Sequence, residues 1–70
     1  MTDLDGRLLA AHLANDVYLL ADLYQEAAEQ AADVDAACFY LTHAYVFALE
    51  AAHPARPVIL KQLQTHGREP

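Results

Sequence analysis

Two histidines and two carboxylates of this chain have the types and spacing of metal ligands. Glu50 and His53 form an E-x-x-H pair, the spacing with which di-iron carboxylate bundles place two ligands on one helix. His12 and Asp16 lie near the start of a second helical segment, which an antiparallel fold would bring beside the end of the third. One hypothesis is therefore a small metal-binding helical bundle that uses His12, Asp16, Glu50 and His53.

Other catalytic constellations are disfavoured by the residue types. The chain has no serine and only two glycines, Gly6 and Gly67, which excludes a serine triad and a glycine-rich phosphate loop. Cys38 lies about 140° around a helix from His43, so a Cys–His nucleophile pair is disfavoured. Ferritin-like centres also need a carboxylate from the middle of a neighbouring helix, and none lies in its apolar stripe. We therefore expect a protein that is not an enzyme and holds no cofactor.

Charge and cysteine usage narrow the class further. Ten carboxylates against four Lys and Arg residues give a net charge of −6, whereas nucleic-acid binders carry a clustered basic face. A single cysteine, Cys38, excludes a disulfide within one chain. The N-terminus has no basic run before its apolar residues, and the apolar segment 36–52 is shorter than the ~20 residues of a membrane span. We expect a cytoplasmic protein that binds neither nucleic acid nor membrane.

Every long segment of the sequence has a helical period. Apolar residues recur at three- and four-residue intervals, and no segment alternates with period two. We expect Asp3 or Asp5, Asp16 and Asp35 to cap the first three helices. The predicted fold is all-α, a single small domain over 1–70 in which two α-hairpins form a bundle of about four antiparallel helices. The predicted helices cover 4–14, 17–32, 36–53 and 57–66.

The ends of the last two helices follow from proline and glycine. Pro54 disfavours helical geometry in the residue before it, so the third helix must end by His53. Pro57 suits the first turn of the fourth helix, and Gly67 suits a left-handed residue after its end. Within the second helix the predicted buried stripe consists of Leu20, Leu23, Tyr24, Ala27 and Ala31.

The third helix is apolar almost all the way round, which is unusual for a soluble surface helix. At about 100° per residue its side chains divide into two faces. The face predicted to pack against other helices holds Cys38, Leu41, Thr42, Tyr45, Ala48, Leu49 and Ala52. The opposite face holds Phe39, Tyr40, His43, Phe47 and Glu50. These aromatic residues are either a second core face or, if the other helices cannot cover them, an apolar contact patch.

Short segments of the two hairpins resemble tetratricopeptide repeats. The segment LTHAY, from Leu41 to Tyr45, resembles the core of a tetratricopeptide first helix. Asn15-Asp16 followed by Tyr24 and Ala27 resembles the turn and second helix. The resemblance covers 3–66, without the usual tryptophan and without a repeat-ending proline near Ala32. It implies that the first helix of each hairpin lines a concave binding surface that includes Asp5, Leu9, His12, Phe39, His43 and Phe47.

The function favoured by these patterns is protein–protein interaction. A 70-residue chain buries a modest fraction of its surface, and such small domains often gain stability by association. We expect a homodimer, or a module that binds another protein or peptide. The predicted contact residues are Phe39, Tyr40, His43 and Phe47, flanked by Leu9 and His12.

Overall fold

The computed structural model describes residues 3–68, and the described part of the chain forms an all-α bundle of four helices without strands. The helices are α1 (Asp3–Ala14), α2 (Val17–Gln30), α3 (Val34–Ala51) and α4 (Arg56–Thr65). The predicted fold class is confirmed. Each helix packs mainly on its neighbour in sequence, and the contact between α2 and α3 is the most extensive.

Aspartates set the starts of the two central helices. The Asp16 carboxylate accepts a hydrogen bond from the Leu19 N–H at 3.1 Å, as predicted. At α3 the prediction was wrong, because Asp33 is the cap. Its carboxylate accepts from the Ala36 N–H at 2.8 Å, and α3 therefore begins two residues before the predicted position. Asp35 lies in the first turn of α3 instead. The predicted cap of α1 at Asp3 or Asp5 was also wrong, because both residues lie inside the first turn, where their carboxylates interact favourably with the helix dipole.

Backbone conformation ends the helices slightly earlier than predicted. α2 ends at Gln30 because Ala31 adopts an extended conformation. α3 ends at Ala51 because Ala52 is left-handed, with φ at 51°. Pro57 lies in the first turn of α4, and Gly67 is left-handed at φ 69°, both as predicted.

Two apolar clusters meet along α2 and α3. The first joins the centre of these helices to α4 through Ala21, Cys38, Leu41, Ala44, Ala48, Ile59 and Leu63. The second joins α1 to α2 through Leu4, Ala11, Leu20, Leu23 and Ala27. Phe47 packs against both clusters. Small residues, such as Ala44 and Ala48, allow α3 to approach its neighbours closely.

The predicted division of α3 into two faces is only partly correct. Thr42, Leu49 and Ala52 were assigned to the packing face, but all three are exposed. Tyr40 and Phe47, from the opposite face, are partly buried against the core. Compared with the predicted packing face, the buried face of α3 is centred closer to Ala44, because α2 covers the side of the helix that carries Tyr40 and Phe47. Across residues 3–68, no helix combines the length and apolar character that crossing a bilayer requires.

Candidate protein-interaction surface

Tyr24 of α2 lies at the centre of a group of aromatic rings on α3. Its ring stacks on Phe47 with centroids 5.7 Å apart and an interplanar angle of 10°. It also stacks on His43 at 5.3 Å and on Tyr40 at 6.3 Å. Offset stacking of this kind adds to the free energy of area burial. We call these four residues, together with His12, the aromatic cluster.

His12 connects α1 to the aromatic cluster. Its Nε2 and the Tyr24 hydroxyl form a hydrogen bond of 2.8 Å, and its ring makes a T-shaped contact with the ring of Phe47, with centroids 5.9 Å apart. Burial raises the pKa of Tyr24 above its ordinary value of 10.0, and the neighbouring Tyr40 adds to that shift. The cluster therefore holds α1, α2 and α3 together through one tyrosine.

Phe39 lies at the outer edge of the aromatic cluster and is 59% exposed. The centroid of its ring lies 4.5 Å from that of His43 and 5.5 Å from that of Tyr40. The Nδ1–H of His43 donates a hydrogen bond to the Phe39 carbonyl at 2.9 Å, which fixes the imidazole against the helix. The ring of Phe39 is thus exposed to solvent, and the imidazole of His43 holds it in place.

The solvent side of α3 carries an apolar stripe that extends from Phe39 toward the end of the helix. Val46 is 48% exposed and Leu49 is 49% exposed, and Thr42 lies between Phe39 and Val46. At 100° per residue the four side chains fall within an arc of about 80°. We call Phe39, Thr42, Val46 and Leu49 the α3 stripe. The 14-residue segment from Ala36 to Leu49 contains no charged residue.

Two shallow hollows flank the α3 stripe. The first, with a volume of about 490 Å³, is lined by Asp35, Cys38, Phe39, Thr42, His43 and Arg68. The second, about 310 Å³, is lined by Thr42, His43, Val46 and Phe47. At the first hollow, Arg68 donates to Asp35, so the two charges there compensate one another. The charges at the first hollow therefore offset each other, whereas at the other end of the stripe the exposed Glu50 lies one helical turn beyond Val46.

The structure does not bring the four predicted metal ligands together. His53 donates from Nε2 to the Asp22 carboxylate at 2.6 Å, and its Nδ1 accepts from the Ala55 N–H at 2.9 Å. His12 bonds Tyr24, and the Asp16 carboxylate caps α2. Within 3–68 no group of three or more His, Cys, Asp or Glu side chains has the arrangement of a metal site.

The surroundings of His53 instead describe a structural residue. Both ring nitrogens are satisfied, and the side chain is almost completely buried. Tyr18 of α2, which is 48% exposed, covers the imidazole with ring centroids 4.2 Å apart. This packing joins the turn between α3 and α4 to the side of α2.

Of the predicted contact residues, five lie in or beside the aromatic cluster. Tyr40, His43, Phe47 and His12 contact Tyr24, and Phe39 lies next to them. Leu9 is 59% exposed on α1 and is not in the cluster.

Sequence reasoning missed the central position of Tyr24, which depends on how α2 packs on α3. It also missed Val46 and Leu49 as exposed residues. Their spacing from Phe39, together with Thr42, follows the alternating three- and four-residue intervals of a helix-pairing seam. That spacing is the signal that could have identified them.

No family model, curated protein or solved structure matches this chain. The resemblance to tetratricopeptide hairpins therefore stays a prediction. The class that the fold defines is a small all-α bundle.

Proposed function

We propose that this protein is a non-enzymatic interaction module that binds a protein surface along the α3 stripe. The observation that carries the proposal is the exposure of Phe39, Val46 and Leu49 on one side of an uncharged helical segment. Soluble monomers seldom present aligned large apolar side chains to water unless they serve as a contact. His43 borders the stripe and would contribute a polar contact.

Burial of the α3 stripe against a partner is favourable in free energy. Complete burial of a Val, Leu or Phe side chain contributes roughly 1.5–3 kcal/mol. The three apolar side chains are about half exposed, so a partner would gain roughly half of that value from each. Small domains are stable by only about 5–15 kcal/mol in total. Covering the stripe would therefore add a substantial fraction of the domain's own stability.

The aromatic cluster supports this role by fixing the contact surface in advance. Phe39 rests against Tyr40 and His43, which stack on Tyr24. A side chain already held in place loses less conformational entropy when it binds. Tyr40, Phe47 and His12 thus position the surface, whereas Phe39 and His43 would touch the partner.

Photo-crosslinking in cells of the natural host tests the proposal. A benzoylphenylalanine residue replaces Phe39 in one variant and Val46 in another. The matched control replaces Val58, an apolar residue on α4 that is 54% exposed. We expect protein adducts at positions 39 and 46, and far less adduct at position 58. Equal adduct at all three positions, or none at the two stripe positions, would overturn the proposal.

A further inference from the structure

The spacing of the α3 stripe is symmetric about one residue. Phe39 and Leu49 each lie five positions from Ala44, and Thr42 and Val46 each lie two positions from it. When such a helix meets a second copy in antiparallel orientation, every stripe residue faces another stripe residue. Phe39 of one copy then faces Leu49 of the other, and Thr42 faces Val46. This reciprocity is what a two-fold interface requires.

We propose that the partner of the α3 stripe is a second copy of this chain, paired antiparallel with the two-fold axis at the level of Ala44, whose own side chain lies in the core. This inference rests on the proposed function and specifies its partner. In this register the aromatic ring of Phe39 meets the aliphatic Leu49 twice, once at each end of the contact. A parallel pair would instead place two Phe39 rings at one end and two Leu49 side chains at the other.

The hollow at the start of α3 fits this register. It is lined by Asp35, Cys38, Phe39, Thr42 and His43 of one helix, together with Arg68. The α3 residues that line this hollow are centred near Phe39. In the antiparallel register, Leu49 of the second copy lies opposite Phe39. In paired helices, a side chain of one helix packs into a hollow that is formed by residues of the facing helix.

The charge distribution along α3 leaves this face able to meet a second copy. Two chains that each carry a net charge of −6 repel one another unless the contact avoids their carboxylates. The uncharged segment from Ala36 to Leu49 provides such a contact. Asp35, at one edge, is paired with Arg68. Glu50, at the other end of α3, would lie far from the other Glu50 but within about one helical turn of the second copy's Asp35, whose charge Arg68 compensates.

A charge-exchange experiment tests both the partner and the register. Phe39→Glu and Leu49→Lys are prepared as separate proteins, so that each carries one new charge of opposite sign. In the antiparallel register, a 1:1 mixture contains a dimer in which the new carboxylate of one protein faces the new ammonium of the other. The opposite end of that dimer keeps Phe39 against Leu49. Neither variant alone can form the charge pair.

We expect the mass of the wild type, from sedimentation equilibrium, to rise toward that of a dimer as concentration increases. Each single variant should raise the dissociation constant by at least roughly tenfold, because it places a charge against an apolar residue twice. The 1:1 mixture should recover most of that loss. Circular dichroism confirms that both variants keep the helical fold, and the reversed pair, Phe39→Lys with Leu49→Glu, replaces either one that does not.

A matched mixture separates the two orientations. Phe39→Glu mixed with Phe39→Lys can pair its charges only if the helices are parallel, so antiparallel packing predicts no recovery. Recovery in that mixture alone would overturn the proposed register. A wild type that stays monomeric at millimolar concentration, with crosslinks at positions 39 and 46 to a different protein, would overturn the second-copy inference and leave the proposed function intact. Absence of both dimer and crosslinks would overturn both.

Discussion

His53 Nε2 donates a hydrogen bond to the Asp22 carboxylate at 2.6 Å across 31 residues of sequence. Its Nδ1 accepts from the Ala55 N–H, so one neutral tautomer satisfies both contacts. The imidazole is only 5% exposed, whereas the carboxylate reaches solvent. One side chain therefore fixes the α3–α4 turn to the middle of α2.

We expect His53→Ala to lower the free energy of unfolding by about 2–3 kcal/mol, because it removes a buried ring and leaves the Ala55 N–H without its acceptor. Asp22→Asn should cost less than about 1 kcal/mol, because the amide oxygen can still accept from Nε2. Denaturant unfolding measures both. The control is His66→Ala, at an exposed position. Equal losses for His53→Ala and His66→Ala would contradict the structural role of His53.

Tyr24 makes stability depend on pH in the alkaline range. Burial raises its pKa above 10.0 in the folded protein, so the unfolded chain loses this proton at a lower pH than the folded chain does. The contribution of Tyr24 is fully present below pH 10 and is lost as pH rises through the folded pKa. We expect the free energy of unfolding to fall above pH 10, and to fall less steeply in Tyr24→Phe.

Spectrophotometric titration of the phenolates provides an independent measurement. The chain has four tyrosines, and Tyr24→Phe should remove a phenol that ionises late in the titration. The control is Tyr45→Phe, which keeps Tyr24 and its neighbour Tyr40. If the late part of the titration curve is unchanged in Tyr24→Phe, burial of this phenol is not the cause of the alkaline loss.

Local signals in the sequence predicted the fold well, whereas long-range packing was predicted poorly. The Asp16 cap, Pro57 in the first turn of α4 and left-handed Gly67 each depend on a few neighbouring residues. The contacts of Tyr24 and His53 depend instead on the rotation of α2 against α3. Periodicity alone does not determine that rotation when α3 is apolar on nearly every side.

Two aspartates compete for the start of α3, and the sequence alone selected the wrong one. The segment Asp33-Val34-Asp35 offers two cap candidates two residues apart. Asp33 Oδ1 accepts from the Ala36 N–H, while Asp35 lies inside the first turn and pairs with Arg68. We expect Asp33→Ala to cost about 1 kcal/mol of stability. Asp35→Ala should cost clearly less, and the reverse order in thermal unfolding would restore Asp35 as the cap.

Phe39 and Phe47 lie on the same helix but have different roles, and one pair of variants separates them. Phe47 packs against both core clusters and stacks on Tyr24, whereas Phe39 is more than half exposed. We expect Phe47→Ala to lower the free energy of unfolding by about 2–3 kcal/mol. Under monomeric conditions Phe39→Ala should change it by no more than about 0.5 kcal/mol, as exposed substitutions generally do. Association should instead be weakened directly by Phe39→Ala, because this substitution removes the end of the α3 stripe while the fold remains intact. A Phe39→Ala variant that unfolds as easily as Phe47→Ala would mean that Phe39 belongs to the core, and that the stripe begins only at Thr42.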